Sequence, residues 1–150
     1  MDERVALVSE LSEIGGLFQV ALERNGQGFT CITTPFLLPD GTVLDLYYKM
    51  VDGEYLLTDL GETLRWLRDQ WIGDGLPAAI YNVMPGICQA YGVKMSVTVL
   101  TIRTPPVTVA ATLLSLAQAA LQLADLRFAL LMETKTVCIP EIRFHSESDE

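Results

Sequence analysis

The sequence predicts a single α+β domain whose helices cover one face of a small antiparallel sheet. Two Asp-Gly pairs, Asp40-Gly41 and Asp52-Gly53, bracket a strand-like run, and Asp-Gly between two such runs is the strongest local signal for a β-hairpin. Apolar residues at helical spacing precede and follow this region. The chain has 150 residues, half of them hydrophobic, which is enough to bury one core.

The first element is predicted to be a helix over residues 3–24, because apolar side chains recur there on one helical face. The glycine-rich turn at residues 25–28 is expected to end it. The chain opens with Asp2 and Glu3, whereas a secretory signal requires basic residues at that position. We therefore expect a cytoplasmic protein.

An antiparallel meander of three strands is expected next, over residues 29–33, 43–51 and 54–58. The Thr-Pro pair at residues 34–35 is expected to close the first strand. Along the second strand, odd-numbered side chains such as Asp45 alternate with apolar even-numbered ones. This alternation assigns the odd-numbered set to solvent and the even-numbered set to the core.

Two middle helices and a further strand follow the meander. Asp59 and Glu62 have the spacing of a capping box, so a helix is predicted to start at Asp59 and to end near Gly73. A second helical segment, interrupted by Pro85-Gly86, is expected over residues 76–91. Residues 94–103 alternate as a single strand, which we expect to join the sheet.

A long C-terminal helix is predicted over residues 106–132. Polar residues recur in it at spacings of three and four, and a transmembrane helix would lack such a stripe, so no membrane association is expected. Its apolar faces are wider than one core contact needs. We expect the helix to be central or to join two copies in a homo-oligomer. Residues 1–140 are predicted to form the domain, and residues 141–150 a flexible acidic tail.

The charge is strongly asymmetric along the chain. The formal net charge is −9, and residues 1–62 hold 11 acidic but only 3 basic residues. Such a chain is a poor nonspecific ligand for DNA or RNA, whose phosphates attract basic surfaces. The acidic first part is either a solubilising surface or a face that docks on a basic partner.

Three short motifs occur in order along the chain. They are the Thr-Pro-Phe tripeptide at residues 34–36, the segment YLLTDLGETL at residues 55–64 and the Tyr-Gly-Val tripeptide at residues 91–93. Through them the chain resembles the domain of unknown function 1828 family over most of residues 10–130. The resemblance implies an uncharacterised protein of bacterial or phage origin and brings no catalytic residues. It favours a protein that binds a host or phage component.

Residues that carry chemistry are sparse. The single histidine, His145, lies in the expected tail, and the three cysteines, Cys31, Cys88 and Cys138, are expected to be buried free thiols. The sequence has no zinc-ligand spacing and no glycine-rich nucleotide loop. It therefore predicts no catalytic residue, no metal site and no cofactor.

Acidic residues are the remaining candidates, and six of them lie within 23 residues: Asp40, Asp45, Asp52, Glu54, Asp59 and Glu62. One interpretation is a metal-dependent hydrolase or accessory nuclease subunit that uses Asp45, Asp59 and Glu62 to hold magnesium. The other interpretation gives each residue a structural role in a turn, a helix cap or a solvated strand.

The leading hypothesis is a non-catalytic acidic interaction protein of phage or prophage type. It would bind a basic or nucleic-acid-binding protein, without contacting nucleic acid directly, and could thereby inhibit a host nucleic-acid-targeting defence complex. The predicted partner-binding residues are Asp40, Asp45, Asp52, Glu54 and Trp71. A self-associating structural protein is a further alternative.

Overall fold

The computed structural model of the chain describes residues 2–138, with side chains to residue 132. Its helices are α1 (Glu3–Ser12), α2 (Glu62–Asp69), α3 (Ala78–Ala90), α4 (Val109–Ala124) and α5 (Leu126–Cys138). Its strands are β1 (Gln19–Arg24), β2 (Thr30–Leu37), β3 (Val43–Val51), β4 (Glu54–Thr58), β5 (Lys94–Ser96) and β6 (Val99–Thr104). The expected α+β class is confirmed. The predicted acidic tail, His145 and the side chain of Cys138 lie outside the described residues.

The sheet has six antiparallel strands in the order β1-β2-β3-β4-β6-β5. Strands β3 and β4 have the bounds that the two Asp-Gly turns predict. The expected end of β2 at the Thr-Pro pair is wrong, because the strand continues to Leu37. A register shift between Thr33 and Leu37 accommodates the exposed Pro35, since a bulge does not need the amide hydrogen that proline lacks.

The predicted helix over residues 3–24 is also wrong in its second half. Helix α1 ends at Ser12, and residues 19–24 form the edge strand β1. Gly15 and Gly16 have φ angles of 118° and 66°, which a right-handed helix cannot contain. The guanidinium of Arg4 donates hydrogen bonds of 3.0 to 3.3 Å to the carbonyl oxygens of Val20 and Ala21, which ties α1 to the edge strand.

Several further elements differ from expectation. The single strand expected over residues 94–103 is a hairpin of β5 and β6, with Val97 at its turn in a left-handed conformation (φ 58°). The long C-terminal helix is present as α4 and α5, which meet at Asp125. Helix α2 starts at Glu62 instead of Asp59 and ends at Asp69 instead of near Gly73. The expected interruption at Pro85-Gly86 is wrong, because α3 is continuous from Ala78 to Ala90 and contains Pro85.

Helix α4 lies at the centre of the core. It packs against α1, α2, α3, β4 and β6, and eight of its side chains, including Leu113, Leu116 and Leu123, are buried. Within the described part of the chain, Pro106–Met132 is the one segment long and apolar enough to cross a membrane, with a mean hydropathy of 1.6. The exposed apolar side chains toward its end, Phe128 and Leu131, lie on α5. Homo-oligomerisation through residues 106–132 stays a prediction.

The even-numbered side chains of β3, Leu44, Leu46 and Tyr48, are buried in the core, as the alternation predicts. Most of the odd-numbered ones, among them Asp45 and Tyr47, are half-buried on the opposite face of the sheet, and Val43 is exposed. Helix α2 packs against α4, and the side chain of its first residue, Glu62, reaches Tyr47 on this opposite face. A groove lies between β3 and α2.

Candidate functional site

The groove is lined by residues of β3, of α2 and of the turn before β3, and it has a volume of about 220 Å³. We call it the β3–α2 groove. Its apolar lining comes from Leu38, Val43 and Leu44, and its aromatic lining from Trp66. It is the right size for one side chain of another molecule, and too small for a helix or strand.

Three carboxylates line the β3–α2 groove, Asp45 on β3 and Glu62 and Asp69 on α2, together with one cation, Arg65. Because residues three and four apart share a helix face, α2 presents Glu62 and Asp69 on the same side. The groove therefore has an excess of negative charge.

Asp40 lies beside the groove and holds its aromatic residue. The indole Nε1 of Trp66 donates a hydrogen bond of 3.1 Å to Oδ2 of Asp40, and the Thr42 amide donates one of 2.9 Å to Oδ1. Hydrogen bonds from Thr42 and Trp66 lower the pKa of Asp40. Asp40 thus stays ionised and keeps the indole of Trp66 oriented.

Glu62 sits where the groove meets the open face of the sheet. Its Oε2 accepts a hydrogen bond of 2.8 Å from the hydroxyl of Tyr47. Burial raises the pKa of Glu62, and the charge of Asp45 adds to this, whereas the Tyr47 hydrogen bond and the charge of Arg65 oppose it.

The potential nucleophiles on this face are held in their protonated forms. The pKa of Tyr47 is raised well above its ordinary value, mainly by burial and secondly by the hydrogen bond to Glu62. Burial and the charge of Asp45 raise the pKa of the free thiol of Cys31. Since a thiolate or phenolate is the nucleophilic form, burial disfavours the reactive state of both groups.

The Thr58-Asp59-Leu60-Gly61 sequence connects α2 to the sheet. Asp59 is fully buried, and its carboxylate accepts three backbone hydrogen bonds of 2.8 to 3.1 Å, from Gly61, Thr63 and Leu100. Thr58 Oγ1 donates a hydrogen bond of 2.7 Å to the Leu100 carbonyl oxygen. This part of the segment YLLTDLGETL is therefore structural. Its hydrogen bonds join the end of β4, the start of α2 and the start of β6.

The predicted capping box is only partly present. Asp59 accepts from the Thr63 amide, but the N-cap residue of α2 is Gly61, in the left-handed region at φ 79°. The side chain of Glu62 bonds Tyr47 instead of reaching back to the helix start. The pairing with Tyr47 depends on the β3–β4 register, which places Tyr47 opposite Thr58.

The Thr-Pro-Phe tripeptide is structural as well. Thr34 Oγ1 donates a hydrogen bond of 2.7 Å to the carbonyl oxygen of Leu44 and accepts one of 3.2 Å from the amide of Phe36. The ring of Phe36 packs edge-on against that of Phe18, with ring centres 5.9 Å apart. These contacts stabilise the bulged end of β2.

The five predicted partner-binding residues lie in three places. Asp45 lines the β3–α2 groove, and Asp40 lies beside it, bonded to Trp66. Asp52 and Glu54 lie at the opposite end of β3, where Glu54 is 3.3 Å from Arg103. Trp71 follows α2 and packs half-buried against the core.

Sequence reasoning gave Glu62 only a metal-binding or helix-capping role and missed the surface that Glu62 forms with Trp66 and Asp69 on the α2 side of the groove. The sequence carried a signal for this surface, because Glu62, Trp66 and Asp69 recur at helical spacing.

For the metal-dependent alternative, Asp45 and Glu62 line one groove, but Asp59 is engaged with backbone amides. Among residues whose side chains the structure describes, no group of three or more His, Cys, Asp or Glu is placed to hold a metal ion.

Fold and site together define a small α+β domain with a six-stranded antiparallel sheet and an acidic groove beside its open face. The chain belongs to the family described as Domain of unknown function DUF1828, whose sequence model matches residues 34–123. That match contains both structural motifs, the groove and most of α4, and it confirms the expected family. No curated protein and no solved structure matches the chain.

Proposed function

We propose that this protein is a non-catalytic interaction protein that binds a basic surface of another protein through the β3–α2 groove. The observation that carries the proposal is the convergence of Asp45, Glu62 and Asp69 around an apolar and aromatic lining. Carboxylates beside apolar surface suit the long cationic side chains of lysine and arginine, which have an apolar stem and a charged end.

The charge of the rest of the chain supports the same partner. Most of the acidic excess lies in residues 1–62, which include β3, β4 and the start of α2. A field of one sign around a binding site accelerates encounter with an oppositely charged partner and makes it sensitive to salt.

The partner we propose is a cytoplasmic protein whose basic surface normally binds nucleic acid. Occupation of that surface by an acidic protein would exclude the nucleic acid without direct contact between it and this chain. In this proposal the protein is of phage or prophage type and inhibits a nucleic-acid-targeting defence complex of the host.

The test is affinity purification of the tagged protein from host lysate after nuclease treatment, with mass spectrometry of the recovered proteins. The groove variant Asp45→Asn/Asp69→Asn is compared with the control Asp52→Asn/Glu54→Gln, which also removes two charges but lies at the far end of β3. We expect a stoichiometric basic partner with the wild type and the control, and its loss with the groove variant and at high salt. Equal recovery with both variants would contradict the proposed site.

A further inference from the structure

We infer that the β3–α2 groove is a pocket for a single arginine side chain of the partner protein, an inference that rests on the proposed function. Four features of the groove carry it: its size and apolar lining, the fixed indole of Trp66, the carboxylates, and an unsatisfied hydroxyl at Thr63. Each feature matches one part of an arginine side chain.

The apolar lining suits the methylene stem. The hydrocarbon surface of this groove of about 220 Å³ comes mainly from Val43, which is 45% exposed, and Leu38 and Leu44 lie largely buried in its wall. The stem of arginine packs well on such surface while its charged end remains near water or carboxylates. This match limits the occupant to one long side chain.

Trp66 suits the flat guanidinium group. Its indole is half-buried in the groove wall, and the hydrogen bond to Asp40 fixes its orientation. A guanidinium stacks on an aromatic face and is attracted to its negative π-surface. Because the indole is held in place beforehand, little conformational entropy is lost on binding.

Thr63 supplies the independent observation. It lines the groove with 2% of its surface exposed, and its Oγ1 has no hydrogen-bond partner among the side chains and backbone that the structure describes. The buried threonines Thr34, Thr58 and Thr104 all have such partners. A buried hydroxyl without a partner is uncommon. This oxygen is itself inaccessible to solvent, so an N–H donor in the groove would satisfy it once the Thr63 side chain turns its Oγ1 toward the groove.

The number of acceptors favours arginine over lysine. The groove offers several hydrogen-bond acceptors to an incoming N–H group: the carboxylates of Asp45 and Asp69, the Oε1 atom of Glu62 and the hydroxyl of Thr63. Tyr47 bonds the other carboxylate oxygen of Glu62, Oε2. Arginine offers five N–H donors in a plane, whereas the ammonium of lysine is compact and more strongly hydrated. Arg65 opposes an incoming cation, so Arg65→Gln is expected to tighten binding.

The test is an NMR titration of the labelled protein with the peptide acetyl-Gly-Arg-Gly-amide, observed at the indole N–H of Trp66. The chain has two tryptophans, so the variant Trp71→Phe assigns this signal. The matched control peptides carry lysine or the neutral isostere citrulline in place of arginine. We expect a saturable shift with arginine, binding weaker by roughly tenfold with lysine, and none with citrulline.

Variants locate the peptide in the groove. Thr63→Val keeps the shape of the side chain and removes the hydroxyl, and we expect it and Asp45→Asn each to weaken arginine binding by about three- to tenfold. Asp52→Asn, at the far end of β3, is expected to leave the affinity unchanged. Unchanged spectra of the two groove variants in the absence of peptide would establish that both are folded.

The outcomes separate the two proposals. No shift with arginine, or equal shifts with arginine and lysine, would overturn the arginine pocket, while loss of the partner in Asp45→Asn/Asp69→Asn would still support the proposed function. Failure of both experiments would overturn both proposals. An indole signal that moves on dilution without peptide would show that a second copy fills the groove, which would also overturn the inference.

Discussion

At the residue scale, the carboxylate of Asp59 holds three separate pieces of backbone together, and its replacement tests how much stability depends on it. In Asp59→Asn at least one of the amides of Gly61, Thr63 and Leu100 loses its acceptor. Buried donors without acceptors are costly, so we expect the free energy of unfolding to fall by about 2–4 kcal/mol, as measured by urea denaturation.

The matched control for this experiment is Asp52→Asn. Asp52 is exposed at the β3–β4 turn with a φ of 53°, a conformation that asparagine adopts readily. Its substitution should change the free energy of unfolding by less than about 0.5 kcal/mol. Equal urea midpoints of unfolding for the two variants would show that Asp59 contributes no more to stability than an exposed turn residue does.

Glu62 predicts a pH dependence of stability. Burial raises the pKa of Glu62 above its ordinary value of 4.5, so the folded chain binds this proton more tightly than the unfolded chain does. Ionisation of Glu62 therefore costs stability. The free energy of unfolding of the wild type, relative to that of Glu62→Gln, should fall as the pH rises from 4.5 through the raised pKa of Glu62 in the folded chain.

Thermal unfolding of the two proteins across this pH range provides the measurement. Glutamine retains an acceptor for the Tyr47 hydroxyl but does not titrate, so the difference isolates the Glu62 proton. A difference that stays constant with pH would contradict the raised pKa.

The same residues show what sequence alone can predict. The spacing of Asp59 and Glu62 correctly indicated a helix start nearby. It could not indicate that Asp59 also binds the amide of Leu100, 41 residues away, because that contact depends on the pairing of β4 with β6. Asp40 and Asp45 were predicted to bind a partner, but their common groove exists only once α2 is placed beside β3.

At the element scale, two glycines predict opposite effects of the same substitution. Gly61 precedes α2 at φ 79°, where an L side chain is strained, so Gly61→Ala should lower the free energy of unfolding by about 1–2 kcal/mol. Gly86 lies on the exposed side of α3 with open space around it. Gly86→Ala should raise the free energy of unfolding by about 0.5–1 kcal/mol.

Denaturant unfolding of both variants, under the same conditions as the wild type, measures this pair. A loss of stability in Gly86→Ala would show that the Pro85–Gly86 region of α3 needs glycine for its geometry. No loss in Gly61→Ala would show that the start of α2 can relax into another conformation.

Elements whose signal is local were predicted best. The bounds of β3 and β4 follow from two Asp-Gly turns. Residues 19–24 were predicted to be helical because their apolar spacing continues that of α1, and only pairing with β2 makes them a strand. Likewise, Val97 carries no turn signal, and its left-handed conformation results from the pairing of β5 with β6.

At the scale of the whole molecule, the net charge of −9 predicts a stabilising effect of salt. Like charges repel one another in the compact state, and ions at about 0.15 M screen interactions beyond roughly 8 Å. The melting temperature should therefore rise as sodium chloride is raised from a low concentration to about 0.15 M.

Magnesium chloride at the same ionic strength is the control for general screening. If screening alone acts, the two salts should raise the melting temperature equally. A larger rise with magnesium would point to specific cation binding by the carboxylates and would support the metal-dependent alternative. A fall in melting temperature with sodium chloride would contradict the repulsion argument.

The contact between Arg4 and β1 has a consequence for colloidal behaviour. An edge strand offers unpaired backbone groups on which another chain can add, and such growth ends in fibrils. Arg4 occupies the carbonyl oxygens of Val20 and Ala21 on this edge. The charged side chain of Arg4 thus blocks part of this edge against the addition of another strand, and its loss is expected to promote aggregation.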